Sequence, residues 1–300
     1  MKIYRKRFKA IVLKTFLTTV DKNRLRKQKY PNDDLDIFKD IPYINDANPM
    51  HRLDILMPKH CAPNAATIIN VHGGGLIYGD KALNQNFNAE LAHRGYRVVS
   101  LSYRLLPKCS FDEQIDDILA ALQIIKKYSE EYALNLNRTY LVGDSAGGLL
   151  SLFAVALTRS SHLRDVFEIS DPEVRIKGMG LISSMLDIGN RKDIIDYAQG
   201  LVLQGKKLPA EAFIYEPAKL FDELTFPPCF LVTSAEDFIR NDSLKLKRLF
   251  DQANSPCVLL DWPKGETNKL SHVFPVTYPK YPESQESIDG ICMFFERRCT

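Results

Sequence analysis

One stretch of the chain constrains its fold more than any other: residues 141–148 read Leu-Val-Gly-Asp-Ser-Ala-Gly-Gly. An apolar run at 140–142 leads into this stretch, and a second apolar run at 149–157 follows it. The pattern predicts a strand, a sharp turn centred on Ser145, and a helix. Glycines occupy both positions that flank the turn, Gly143 and Gly147. A Cβ at either position would clash where strand and helix nearly touch, so these positions require glycine. Such a turn holds the Ser145 hydroxyl at the carboxyl end of the strand, beside the first N–H groups of the helix.

Strands and helices alternate along most of the chain, which predicts an α/β fold with a mostly parallel central sheet flanked by helices. The predicted strands cover residues 52–56, 67–71, 97–103, 140–142, 176–183, 230–233 and 258–260, and the predicted helices residues 83–93, 111–132, 145–158, 242–253 and 284–298. Asp242 is the expected N-cap of its helix. Residues 185–226 interrupt the alternation, as an insertion would. We therefore expect a basic N-terminal segment, residues 1–45, and one α/β domain, residues 46–300, that carries this insertion.

A nucleophilic serine needs donors that stabilise the developing oxyanion. His72-Gly73-Gly74-Gly75 directly follows the predicted strand at 67–71. Glycines without side chains let backbone N–H groups approach a substrate oxygen, so we expect Gly73, Gly74 and Ala146 to supply the donors. A phosphate-binding loop is the alternative, but the chain has neither of the glycine-rich phosphate motifs there.

The same chemistry needs a base and an acid that orients it. Asp237 lies in the loop after the predicted strand at 230–233, and His272 lies beyond the last predicted strand. Glu236, Asp242 and Asp261 compete with Asp237 for the role of the acid. Asp237 is favoured because Asp242 is better explained as a helix cap and Asp261 follows a later strand. The order Ser145, Asp237, His272 also excludes a chymotrypsin-like protease, in which the histidine comes first and the serine last.

The basic residues are concentrated at one end of the chain. Residues 1–30 contain eleven Lys and Arg and one Asp, a net charge of +10; the whole chain carries +3, so the remainder carries −7. This composition is typical of a membrane-surface contact, a nucleic-acid contact, or a solvated amphipathic helix that packs on the domain. Phe8, Ile11, Val12 and Phe16 share one helical face, which fits either a contact or packing. We favour packing, exclude nucleic acid, and keep the membrane surface as a possibility.

Two further features bear on location. No stretch approaches the roughly 20 apolar residues of a membrane span, and no secretory signal is apparent. The six cysteines lie far apart in the chain, which favours reduced thiols and a cytoplasmic protein.

Taken together, these motifs resemble those of the hormone-sensitive-lipase-like branch of the α/β-hydrolases, a family of carboxylesterases and lipases. The matching segments lie within residues 72–274: His72 to Gly75, Tyr103 to Pro107, Gly143 to Gly148, Asp237 to Arg240, and His272 to Phe274. Residues 111–117 also resemble alkylformamidase-like and feruloyl-esterase-like hydrolases.

The resemblance implies a serine hydrolase of short-acyl, small-molecule esters that needs no metal or cofactor. Ser145 would attack the ester, His272 would move the proton, and Asp237 would orient the imidazole. It also implies a lid built from an N-terminal helical segment and a later insertion, here residues 1–45 and 185–226, neither of which shows a sheet-like pattern. The alternatives are an amidase or formamidase on the same machinery, a non-catalytic small-molecule receptor on the same fold, and a membrane-associated lipase.

Overall fold

The computed structural model describes residues 2–28, 32–188, 197–198 and 201–299. Among them, one eight-stranded sheet has the order β1-β2-β4-β3-β5-β6-β7-β8. Its strands are β1 Leu35–Pro42, β2 Arg52–Pro58, β3 Thr67–Val71, β4 Arg97–Leu101, β5 Thr139–Asp144, β6 Gly178–Ile182, β7 Cys229–Ser234 and β8 Cys257–Trp262. β1 and β2 run antiparallel to their neighbours, whereas β4, β3 and β5 to β8 are parallel. The predicted mostly parallel α/β sheet is confirmed.

Helices cover both faces of this sheet. They are α1 Lys2–Lys27, α2 Gln85–His93, α3 Phe111–Lys127, α4 Ala146–Arg159, α5 Ser161–Phe167, α6 Glu211–Tyr215, α7 Leu220–Glu223, α8 Arg240–Gln252, α9 Phe274–Thr277 and α10 Pro282–Arg298. Successive residues of a strand point to opposite faces, and Ile68 and Ile69 of β3 accordingly belong to two different buried clusters. The central strands are therefore buried on both sides, which is why they appear as continuous apolar runs.

Most predicted elements exist, with ends displaced by a few residues. The strand at 67–71 coincides with β3, whereas the helix predicted to reach residue 132 ends at Lys127. The prediction that Asp242 caps α8 is wrong. The helix begins at Arg240, and Asp242 lies within its first turn. The Asp242 carboxylate instead accepts the backbone N–H of Leu186 at 2.9 Å.

The N-terminal segment contributes to the sheet, contrary to the prediction that residues 1–45 lack a sheet-like pattern. Residues 35–42 form β1, an edge strand paired with β2. Its register shifts between Phe38 and Ile41, and Asp40 adopts a positive φ of 59° there. A bulge of this kind breaks the alternation of apolar and polar residues that would reveal a strand.

The basic segment forms α1, which packs on the domain through a face other than the one we identified. Ala10 is buried, and Leu13 packs against the core, whereas Phe8, Ile11, Val12 and Phe16 are exposed. Every helix in the described part of the chain is either too short or too polar to span a bilayer.

The predicted insertion at 185–226 is described in part. Residues 189–196, 199 and 200 lie outside the described residues. The remainder includes the short helices α6 and α7.

Candidate active site

Ser145 occupies a strained turn between β5 and α4. Its backbone has φ 51° and ψ −120°, a combination that residues other than glycine rarely adopt. A Cβ added at Gly147 would lie 2.1 Å from the carbonyl oxygen of Val71, and one added at Gly143 would lie 2.6 Å from the carbonyl oxygen of Gly147. The prediction that a Cβ at either glycine would clash is therefore confirmed, because strand and helix approach one another too closely for a side chain.

The structure brings the three residues predicted for nucleophile, base and acid together. His272 Nε2 lies 2.9 Å from Ser145 Oγ, and His272 Nδ1 lies 2.8 Å from Asp237 Oδ1. Ser145 follows β5, Asp237 follows β7, and His272 follows β8. The carboxyl ends of parallel strands meet at one edge of the sheet, so residues far apart in sequence converge there.

The surroundings of Asp237 favour its ionised form. Burial raises the pKa of this carboxyl, but hydrogen bonds and the neighbouring charge of His272 outweigh burial and hold the pKa below its usual value. The carboxylate accepts the N–H of Ile239 at 3.0 Å and the hydroxyl of Thr233 at 3.2 Å. An ionised Asp237 requires the proton of neutral His272 to sit on Nδ1, which leaves Nε2 as the acceptor for the Ser145 hydroxyl.

The competing acids have other partners. Glu236 accepts the backbone N–H of Leu270 at 2.8 Å and so braces the loop that carries His272. Asp261 forms an ion pair with Arg240 at 2.6 Å. Asp237 is thus the acid whose carboxylate the structure places on the imidazole.

The glycine loop differs from our prediction at one of its donors. The N–H of Gly73 donates to Asp144 Oδ1 at 3.0 Å, so it does not point into the cavity beside Ser145. Gly74 and Gly75 line that cavity. The N–H groups of Gly74, Gly75 and Ala146 donate to no acceptor within the described part of the chain. The sequence pattern could not reveal this arrangement, because the arrangement depends on the direction in which the Asp144 side chain points.

Buried polar groups to which the sequence motifs assigned no role hold the loop. His72 Nδ1–H donates to the carbonyl oxygen of Gly73 at 2.7 Å, and burial lowers the pKa of His72 to about 4, so this imidazole is neutral at pH 7. The His72 ring stacks on Tyr103 with 4.3 Å between centroids, and the Tyr103 hydroxyl donates to the carbonyl oxygen of His72 at 2.7 Å. Asn84 donates to Asp144 at 2.7 Å, while burial raises the pKa of Asp144 to about 6.

A cavity of about 430 Å³ opens beside Ser145. Its apolar lining side chains are Leu13, Leu17, Tyr78, Leu83, Tyr197, Phe238, Val273 and Val276. Volumes of this size suit small organic ligands, for which cavities run from about 300 to 1,000 Å³. The cavity therefore presents an apolar wall to any group held at Ser145.

Helix α1 forms part of this wall and is fastened on both sides of the cavity. Arg24 donates to the carbonyl oxygens of Thr277 at 3.1 Å and Leu83 at 3.4 Å. Asp21 accepts the Tyr78 hydroxyl at 3.0 Å and pairs with Arg24 at 2.9 Å. One Arg and one Asp thus hold the helix over the site.

Comparison with known proteins gives the same fold. Residues 68–274 match a protein family described as having the alpha/beta hydrolase fold. An acetyl esterase of Salmonella dublin is 24% identical over 204 residues, which make up 64% of this chain and 61% of that protein. This chain therefore aligns with less than two thirds of the length of that esterase.

Solved structures are similar over nearly the whole chain. A crystal structure of esterase B from Lactobacillus rhamnosis with a C4-C4 SN3 tributyrin phosphonate has a TM-score of 0.91 at 26% identity, covering 98% of this chain and 95% of that one. A bacterial heroin esterase shares the fold, with a TM-score of 0.76 at 19% identity, covering 96% of this chain and 91% of the other.

Proposed function

The chain belongs to the α/β-hydrolase fold family, and from that membership we propose that it is a serine esterase that cleaves short-chain carboxylic esters through an acyl-enzyme intermediate. The observation that carries the proposal is the continuous hydrogen-bonded series Ser145–His272–Asp237, with distances of 2.9 and 2.8 Å. The esterases among its relatives support the same reaction class.

In the first half of the reaction, His272 Nε2 accepts the Ser145 proton as Oγ attacks the carbonyl carbon of the ester. The carbonyl π electrons move to oxygen, and Asp237 stabilises the imidazolium that forms. The resulting tetrahedral intermediate collapses, the Nε2 proton passes to the leaving alcohol oxygen, and the acyl group remains on Ser145.

In the second half, His272 removes a proton from water, and the hydroxide oxygen attacks the acyl carbon. The second tetrahedral intermediate expels Ser145 Oγ, which takes the proton back from His272, and the carboxylic acid leaves. Both intermediates need oxyanion donors. We assign this role to the N–H groups of Gly74, Gly75 and Ala146, and replace Gly73 because its N–H is committed to Asp144.

The cavity supports the proposed substrate class. Its wall is mainly apolar and its volume is about 430 Å³, which suits a short acyl chain and a small alcohol group. We propose that α1 and the segment at 185–226 act as the lid over this cavity; α1 already supplies Leu13 and Leu17 to its wall. We also propose a cytoplasmic location, since all six cysteines are free thiols.

A p-nitrophenyl alkylphosphonate tests the proposal, because it transfers its phosphonyl group to an activated serine and releases p-nitrophenolate. We expect one adduct, on the peptide that contains Ser145, with loss of hydrolysis in proportion to labelling. Labelling elsewhere, or none, would overturn the nucleophile assignment. Comparing the rates for p-nitrophenyl butyrate and an aryl formamide separates the esterase from a formamidase, and a receptor would turn over neither substrate.

A further inference from the structure

Helix α1 presents a continuous apolar row to solvent. Phe8, Val12 and Phe16 are spaced four residues apart and are 70%, 52% and 63% exposed, so they lie above one another on one face. Val20 extends the row, Ile11 lies beside it, and both are also exposed. Over the described residues, five of the nine exposed large hydrophobic side chains belong to this one helix. A cluster of this kind marks an interaction surface, whereas isolated exposed apolar residues do not.

The same helix is strongly basic on its solvent side. Lys9, Lys22, Arg26 and Lys27 are exposed. The single acid of the helix is Asp21, and its carboxylate is turned away from this face toward Tyr78 and Arg24 at the cavity. The outer face of α1 thus combines apolar side chains with positive charge.

We propose that the outer face of α1, defined by Phe8, Ile11, Val12, Phe16 and Val20, docks reversibly on the surface of an anionic lipid bilayer. A helix lying in the plane of a bilayer places its apolar side chains at the boundary of the acyl chains and its Lys and Arg side chains among the negative headgroups. The charge of +10 in residues 1–30 complements such a surface.

A second copy of this chain fits the face less well. Five partly exposed side chains offer on the order of 500 Å² of apolar surface, whereas a stable interface buries about 800 Å² on each partner. A symmetric dimer through this face would also bring two segments of charge +10 together.

Packing alone does not account for the row. Ala10, Leu13 and Leu17 are the apolar α1 side chains that are buried or line the cavity, and Asp21 and Arg24 line it as well. Among the described residues, the exposed row does not line the cavity, so its substitution leaves the cavity wall in place. The docking proposal is independent of the esterase proposal, because it is tested without a substrate.

Vesicle co-sedimentation of the full chain tests the proposal, with phosphatidylcholine vesicles compared against vesicles that also contain phosphatidylserine. We expect binding to the vesicles containing phosphatidylserine, weakened by salt. We also expect a loss of about ten-fold or more in the partition coefficient for Phe8→Ser/Phe16→Ser. The matched control is Val258→Ser/Met293→Ser, which removes two exposed apolar side chains from other elements and should bind as the wild type does.

Three results would overturn the proposal: no binding by the wild type, equal binding by the Phe8→Ser/Phe16→Ser variant, or a wild-type dimer in sedimentation velocity that this variant abolishes. Should the phenylalanine pair fail to fold, Ile11→Ser/Val20→Ser is the second variant, with the same expected loss. Hydrolysis of the soluble ester p-nitrophenyl acetate should stay at the wild-type rate in both variants, because neither pair lines the cavity.

Discussion

Asp144 and Gly73 are joined by a hydrogen bond of 3.0 Å, in which the residue before Ser145 accepts the N–H of the first glycine of the glycine loop. This bond links the turn at Ser145 to the loop that we propose holds the oxyanion. It also occupies the N–H of Gly73, which is why we propose Gly74 and Gly75 as the oxyanion donors of this loop. The choice of donors in the proposed reaction therefore depends on the position of this buried carboxylate.

The titration of Asp144 gives a prediction for stability. Burial raises its pKa from 3.8 to about 6, so between these pH values the native state holds a proton that the unfolded state has released. The free energy of unfolding is then highest below pH 3.8 and falls as the pH rises from 3.8 through about 6. Asp144→Asn abolishes this dependence, so its free energy of unfolding relative to that of the wild type should rise by about 2 kcal/mol between pH 4 and pH 6. Urea unfolding across this range measures the difference; a difference that does not change with pH contradicts the prediction.

Gly74 should tolerate no side chain. It adopts φ 111°, and an added Cβ would lie 2.1 Å from the carbonyl oxygen of Tyr78. We expect Gly74→Ala to lower kcat by about 10²- to 10³-fold, the effect of losing one oxyanion donor. Gly95→Ala is the matched control, because Gly95 has φ 91° with no atom within 4 Å of an added Cβ. It should lose about 1–2 kcal/mol of stability and keep its kcat. Equal kinetic effects of the two substitutions would count against an oxyanion role for the loop.

Substitution of the acids distinguishes Asp237 from its neighbours. Asp237→Asn should lower kcat on the order of 10⁴-fold, because the amide no longer holds His272 in the required tautomer. Asp261→Asn breaks only the ion pair with Arg240 and should change kcat by less than about ten-fold. Steady-state hydrolysis of p-nitrophenyl butyrate measures both variants, and a full rate for Asp237→Asn would transfer the role to another carboxylate.

Arg24 should control how firmly α1 is held over the cavity. Arg24→Met keeps the aliphatic stem but removes the hydrogen bonds to Thr277 and Leu83, each worth about 1.5–3 kcal/mol for a charged donor. We expect trypsin to cut within α1 at least ten-fold faster than in the wild type, since local opening exposes the chain. Lys22→Met, on the exposed side of the same helix, should not accelerate cleavage at the remaining sites. Unchanged cleavage in Arg24→Met would show that other contacts hold the helix.

The sequence predicted the parts of the molecule that follow from local pattern. The turn at Ser145 is visible in the sequence because Gly143 and Gly147 bracket a serine between two apolar runs. β3 is visible because a strand buried on both faces is mostly apolar. The order of Asp237 and His272 after Ser145 then pointed to the residues that the structure brings together.

The remaining features depend on contacts between distant segments. The edge strand β1 was missed because a bulge at Asp40 breaks its alternation. Gly73 was assigned as a donor because a row of glycines does not show which N–H a neighbouring carboxylate will occupy. The sequence does not show which face of α1 packs on the domain. In the structure Ala10 lies against the domain, whereas Phe8 and Phe16 face solvent.

The central claim is that Ser145 is the nucleophile of an esterase, and the turnover of p-nitrophenyl butyrate by Ser145→Ala tests it most directly. The control is His162→Ala, which alters a histidine that is 64% exposed and lies outside the cavity. We predict that Ser145→Ala lowers kcat on the order of a million-fold, with wild-type turnover in the control. A Ser145→Ala variant that hydrolyses the ester at a rate near that of the wild type would contradict the account.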